Sequence, residues 1–365
     1  MTRKFTILKK LLIGTLAFFC FTPHLHAQIK QTQFNGFGHI EHSLMAKDSV
    51  ESYFSIGEHD FFVTSNISKR ISFLGEFVIR FNSTVATNFL PSIERAFIKF
   101  NYINNHSIIA GKIHTPVNFW NDTYHHGRVF FPVIDRPFAF SYLVPLHTLG
   151  TQFQGQNIGD LGFGYDLVLG NGINSTDAFQ GDFDPSITAA VHIKPVQGLR
   201  IGASYFYNHL SKNGAGAHSG HSVSINNHPN PYEGSVDFNM LSSSVSWFGK
   251  RYEFLNEFTF NQTKTDIKGA ANNFSNFSYA GVRLNDKNIP FVLVDYIRIA
   301  ENDLHTKPRE MMCASLGYRY EFNYLINLKA QIQYSRVKES DAHSMHVHSG
   351  FSDVLGFRVQ LAYGF

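Results

Sequence analysis

The sequence predicts an all-β protein: a transmembrane antiparallel β-barrel of about sixteen strands, with one long connection folded inward as a constriction loop. Three observations carry that expectation. Apolar and polar residues alternate with a period of two in run after run. The runs are about ten residues long, the length a tilted strand needs to cross a bilayer. Connections between them alternate between short and long along the chain, as turns on one side of a membrane and loops on the other would.

Composition excludes several other classes. The 365 residues include 37 Phe and 16 Tyr, and charged residues make up only 16%, where a soluble domain averages about 25%. So few charges beside so many rings argue against disorder, a coiled coil, and a nucleic-acid binder, which would need clustered Lys and Arg. Arg3, Lys4, Lys9 and Lys10 precede an apolar stretch, residues 11–21, too short to cross a bilayer as a helix. It reads as part of a signal peptide covering residues 1–27, cleaved after Ala27, which leaves residues 28–365 as the barrel domain. Phe19 stands where lipidation of Cys20 would need a small residue, so no lipid anchor is expected. The formal +3 of the whole chain belongs to that leader: residues 28–365 hold 27 basic and 28 acidic residues, a net −1. Cys313 is then the only thiol, which excludes an intramolecular disulfide and a zinc–thiolate cluster. No cofactor is expected.

Strand-like runs fall at 33–44, 53–65, 71–82, 93–102, 106–113, 148–157, 160–170 and 186–194. The second half of the chain adds 199–209, 235–247, 251–262, 274–285, 290–300, 311–321, 325–336 and 352–365. In the third run Ile71, Phe73, Phe77, Ile79 and Phe81 oppose Ser72, Glu76, Arg80 and Asn82. In the fifteenth, Ile326, Leu328, Ala330, Ile332 and Tyr334 oppose Asn327, Lys329, Gln331, Gln333 and Ser335. The last run alternates Leu355, Phe357, Val359, Leu361, Tyr363 and Phe365 with Gly356, Arg358, Gln360, Ala362 and Gly364. After the second run the gaps are short at residues 68–70, 104–105, 159, 194–198, 249–250, 286–287 and 323–324, and longer between these. A soluble β-sandwich alternates its residues too, but has no reason to sort its loops by parity. Tyr318, Tyr320, Phe322 and Tyr324 cluster at a strand end, where an aromatic girdle and ordinary β-propensity explain them equally well.

One segment breaks the pattern. Residues 114–147 carry Pro116, Pro132, Pro137 and Pro145, which central strands exclude. They also carry Trp120, Tyr124, Phe130, Phe131, Phe138, Phe140 and Tyr142, too apolar for a loop in water, so the lumen is the expected place for them. The order Gly111-Lys112-x-His114-Thr115-Pro116, Trp120-Asn121, Tyr124-His125-His126-Gly127, Arg136-Pro137 and Pro145-x-His147-x-x-Gly150 resembles a family of porin-like outer-membrane proteins of Gram-negative bacteria. The strand-and-loop plan is similar to that of general porins, in which the loop after the fifth strand narrows the channel. That resemblance implies outer-membrane lipids and small hydrophilic solutes as partners, and a homotrimer. Phe365, closing an alternating last strand, resembles the sorting signal by which barrel-assembly machinery receives such proteins.

Within the loop, Asp122, His125, His126, Arg128, Asp135 and Arg136 are the charged or titratable groups that either face a pore, setting a transverse field, or anchor the loop to the wall. With the polar face of each strand inside, Arg80, Arg95, Lys99, Arg200, Arg319, Lys329 and Arg358 face Glu76, Asp166, Asp237, Glu253 and Glu257, an excess that hints at mild anion preference. His218 and His221 in one external connection, and His343, His346 and His348 in another, have spacings that suit a divalent metal. No G-x-S-x-G elbow and no H-E-x-x-H is present, so an outer-membrane hydrolase is disfavoured. The expected function is a passive outer-membrane channel rather than an enzyme; the alternative is a substrate- or metal-binding barrel.

Overall fold

The computed structural model describes residues 30–47, 49–81, 89–125, 127–173, 184–211, 234–339 and 352–365. The expected signal peptide, residues 1–27, lies outside them. The strands are β1 (Lys30–Ala46), β2 (Val50–Ser55), β3 (Glu58–Asn66), β4 (Ile71–Phe81), β5 (Phe89–Ile103), β6 (His106–His114), β7 (His147–Ile158) and β8 (Phe163–Gly170). There follow β9 (Ser186–Ile193), β10 (Leu199–Leu210), β11 (Val236–Phe248), β12 (Tyr252–Thr265), β13 (Gly269–Val282), β14 (Asn288–Ile299), β15 (Arg309–Asn323), β16 (Ile326–Glu339) and β17 (Ser352–Gly364).

β2 and β3 both pair antiparallel with β1, so they are two pieces of one stave interrupted at residues 56–57. The seventeen segments therefore make sixteen staves, each antiparallel to its neighbours. Pairing of β1 with β17, from Phe37 opposite Gly364 to Ala46 opposite Leu355, closes the barrel and leaves no free edge. The expected runs and these strands coincide to within a few residues, with two exceptions. The second run is split at Gly57, which takes a φ of 63°. The run expected at 274–285 begins at Gly269, which shrinks the connection from β12 to residues 266–268 and departs from the expected alternation of gaps. Residues 270–273, Ala-Ala-Asn-Asn, lie before the expected run. They are strand because Asn273 is buried and satisfied, donating to Asn261 Oδ1 at 2.7 Å and Asp303 Oδ2 at 2.5 Å.

The outward side chains are those of a lipid-facing wall: Val292, Val294, Leu316, Ile332 and Leu355 are all exposed. Leu316 sits near the middle of β15 and is 63% exposed. Replacing it by Arg is expected to cost about 2–4 kcal/mol, the toll of a cation at the bilayer midplane. Urea unfolding from lipid vesicles measures this, and an unchanged midpoint would place Leu316 outside the hydrocarbon.

The inner face has two sectors. Around β15, β16, β17, β1 and β3 to β5 it is polar, with Lys329, Gln331, Gln360, Glu76 and Glu94 all buried. Across β10 to β14 it carries an apolar sector, with Phe206, Phe238, Met240, Leu255, Phe277, Phe291, Leu293 and Ile297 buried in one cluster, beside inward polar residues such as Glu253, Glu257, Thr259 and Asn261. The polar-face-inside expectation holds here for Arg200, Glu253 and Glu257 but fails where the apolar cluster faces in, because the inward loop covers that cluster in place of water. Asp237, expected inside, is a correction. It lies between the inward Val236 and Phe238, so it points outward, where it takes a contact from His209 Nδ1 at 2.7 Å.

Candidate functional site

The ladder of β6 and β7 ends where His114 stands opposite His147, and there the chain leaves the wall. A cinch holds the departure point. Thr115 N donates to Leu146 O at 3.0 Å, and the Asn121 amide donates to both Thr115 O (2.7 Å) and Leu146 O (3.1 Å). Gly111, just before it, has a φ of 137°, and a Cβ there would meet Ala96 O at 2.2 Å, so the close approach of β5 requires glycine.

The loop packs its rings against the apolar sector. Trp120 is fully buried and meets Phe131, Tyr124 and Phe277 edge-on, with centroids 5.0, 5.2 and 5.2 Å away. Phe119, Val133, Phe140, Leu143 and Val144 complete the contact. A π-helical turn (Trp120–Tyr124), a 3-10 turn (Arg128–Phe130) and a short α-helix (Phe138–Tyr142) carry these residues.

Around the polar sector the loop is tied to the wall by charges. Arg136 grips Glu58 with two bonds of 3.0 and 2.7 Å and donates Nε to His125 O. Asp135 pairs with Arg358 and accepts from Gln331 at 3.0 Å. Lys329 donates to Arg128 O at 2.5 Å, and Arg319 donates to Pro132 O at 3.0 Å while gripping Glu253 with two bonds of 2.9 Å. Arg128 donates to Ile134 O within the loop. Glu257 accepts from Trp120 N, and Asp295 accepts from Phe138 N. These bonds satisfy backbone groups that a buried irregular segment would otherwise leave orphaned.

The sequence candidates thus divide by environment. Arg128, Asp135 and Arg136 sit among anchoring bonds; on the wall, Lys329 and Arg358 hold Arg128 and Asp135, while Glu257 and the Glu253–Arg319 pair hold the loop backbone at Trp120 and Pro132. Glu76 pairs with Arg95 and stands 3.6 Å from His114; Arg80 pairs with Glu94 at 2.5 Å; Lys99 donates to Gln154 at 3.0 Å. His126, His218, His221, His343, His346 and His348 lie outside the described residues. Asp122 lines open space, and His125 lies buried at the edge of it. A cavity of about 630 Å³ runs from Asp122, Thr123 and Tyr124 to Lys194 and Arg200, and Arg200 bonds Asp122 at 2.9 Å. A second, of about 520 Å³, runs from the same three residues to Glu76, Arg95, His114, His125 and the terminal Phe365. Both touch the short-turn rim, through residues 194–198 and through Tyr324 and Leu325, which is the periplasmic end in this class of barrel.

Sequence reasoning missed Glu41, Glu58 and Glu94. Glu58 follows the break at residues 56–57, and Glu94 sits at a bulge where β4 and β5 shift register between Glu76 and Phe77, so Glu94 and Arg95 both turn inward. The repeated interruption of alternation by adjacent charges, Glu94-Arg95, is the signal that could have revealed the bulge.

No protein-family model and no curated protein sequence matches the chain. Solved structures do. An anion-selective porin from Comamonas acidovorans aligns with a TM-score of 0.63 at 11% identity, over 92% of this chain and 100% of its own. The outer-membrane channel DcaP of Acinetobacter baumannii aligns at 0.60 and 10%, over 92% and 97%. The fold is that of an outer-membrane porin. OmpT, an outer membrane protein of Vibrio cholerae in its trimer form, aligns at 0.61 and 10%, over 92% and 100%. In this porin fold the inward loop follows the fifth stave, β2 and β3 counting as one, which is where the sequence places it.

Proposed function

We propose that the protein is a diffusion channel of the outer membrane for small hydrophilic solutes, with the inward loop as its constriction. The observation that carries this reading is the pair of cavities, about 630 and 520 Å³, that flank Asp122, Thr123 and Tyr124 inside a closed sixteen-stave barrel. A barrel of this size exceeds what its wall side chains alone can fill, and the loop packs on one sector while leaving space lined by both polar and apolar side chains beside it. Catalysis is no part of the proposal: the charged groups of the loop act as anchors and as lining. Export by a leader cleaved after Ala27 belongs to it.

Mild anion preference is proposed on the larger cavity, where Lys194 and Arg200 face Asp122. Lys194→Glu is then expected to move the reversal potential under a salt gradient toward cation selectivity. An unmoved potential would take Lys194 out of the ion path.

Reconstitution of the purified protein in planar bilayers tests the channel itself. Discrete ohmic steps support it, and a silent barrel refutes it. A homotrimer is proposed as well, supported by a polar cluster on the outer face, where Asn256 donates to Ser278 Oγ at 2.8 Å and contacts Asn276 Oδ1 at 3.3 Å. Amides in a lipid-facing band are costly unless covered, and a second copy would cover them. Asn256→Leu combined with Asn276→Leu is expected to leave the barrel folded and shift its mass in detergent from trimer to monomer.

A further inference from the structure

Three histidines meet where the loop leaves the wall. His114 ends β6 and His147 begins β7, directly opposite one another across the ladder. His125 comes from the loop, is 1% exposed, and lies over both, with ring centroids 3.6 Å from His114 and 4.7 Å from His147. Each ring offers a nitrogen, and the three nitrogens lie within 4.8 Å of one another. We propose that His114, His125 and His147 bind one divalent transition-metal ion of the zinc class, and that the ion clamps the inward loop to β6 and β7.

The protonation of His125 is dictated by its surroundings. The Asn121 amide nitrogen is committed to two carbonyl oxygens, Thr115 O and Leu146 O, so the Asn121 oxygen faces the ring, 2.6 Å from Nδ1. An oxygen there accepts, so Nδ1 carries the hydrogen and Nε2 keeps its lone pair. This is the outer support that ligand histidines use to fix tautomer and orientation. Carboxylates also stand beside the other two rings, with Glu94 Oε2 2.9 Å from His147 Nε2 and Glu76 Oε2 3.6 Å from His114 Nε2. Three imidazoles without thiolate select for zinc, copper or nickel rather than magnesium or calcium.

An approach exists, since His114, His125 and Glu76 line the cavity of about 520 Å³ that opens at the short-turn rim. Binding needs a local adjustment. The His114 and His125 rings stack at 15°, so their in-plane lone pairs do not yet converge. Nitrogens held about 2.0–2.1 Å from a tetrahedral zinc would stand about 3.4 Å apart. The ring torsions of the histidines are soft, and turning them toward a shared ion is the adjustment that binding requires. The site uses none of the external histidines, and it does not depend on the chain being a channel.

The test separates the two sources of imidazole. In the full-length protein in detergent, His218, His221, His343, His346 and His348 are replaced by Asn, and the variant is titrated with zinc chloride by calorimetry. One zinc per chain is expected. His147→Ala or His125→Ala in that background should weaken binding at least a hundredfold, and Glu94→Gln by about 10–100-fold. Cobalt(II) added to the unmutated trio in the same background should develop the visible absorption of a nitrogen-ligated tetrahedral site, which remains a test if a substituted trio does not fold. Absence of zinc binding in that background, binding unchanged by His147→Ala and His125→Ala, or a cobalt spectrum equal to that of the free aquo ion would each overturn the assignment.

Discussion

Deleting residues 120–140 is expected to raise the single-channel conductance several-fold while leaving a folded barrel. The loop fills the lumen against β10 to β14 and spans to β3, β16 and β17 through Arg136, Asp135 and the backbone carbonyl of Arg128. The staves, by contrast, are joined to each other by continuous ladders that owe nothing to the loop, including the closing pair β1 and β17. Removing the segment exposes Phe238, Leu255, Phe277 and Phe291 to lumen water, so thermal stability should fall even as the bore widens. The comparison is one of conductance steps in matched bilayers. Equal steps for deletion and intact protein would remove the loop from the ion path.

The second large effect is expected at Trp120. It is fully buried, touches three aromatic rings, and its backbone N–H is held by Glu257 at 3.0 Å. Trp120→Ala leaves a cavity at the centre of the loop–wall contact and should cost about 3–5 kcal/mol. That loss falls on docking of the loop, since the barrel ladders do not pass through Trp120. Amides of residues 127–142 should therefore exchange hydrogen faster while those of β11 to β13 keep their protection. Conductance should become noisier for the same reason. Uniformly accelerated exchange over the whole barrel would instead show that loop and barrel unfold as one unit.

Much of the architecture is readable from alternation alone, and the exceptions have physical causes. β16 and β17 present one apolar and one polar face because lipid and lumen differ on their two sides. β14 does not: Ile289, Phe291, Leu293 and Ile297 are buried inside while Pro290, Val292 and Val294 face out. A strand apolar on both faces has both faces covered, here by lipid and by the loop. The sequence therefore held a marker of the docking sector in that continuous apolar run. The loop itself announces itself through prolines and rings that fit neither strand nor water. Its partners do not, because Glu58, Asp295, Arg319 and Arg358 are distant in sequence and are brought together only by closure. Likewise, nothing in the spacing of His114, His125 and His147 shows that strand pairing sets two of them side by side beneath the third.

Size-selective passage tests the central proposal most directly. Proteoliposomes containing the intact protein, challenged with isosmotic sugars of increasing size, should swell quickly with the smallest, progressively more slowly as size rises, and not at all beyond a cutoff. Liposomes containing the protein that stay indistinguishable from empty ones for every sugar, the smallest included, would contradict a diffusion channel narrowed by its inward loop.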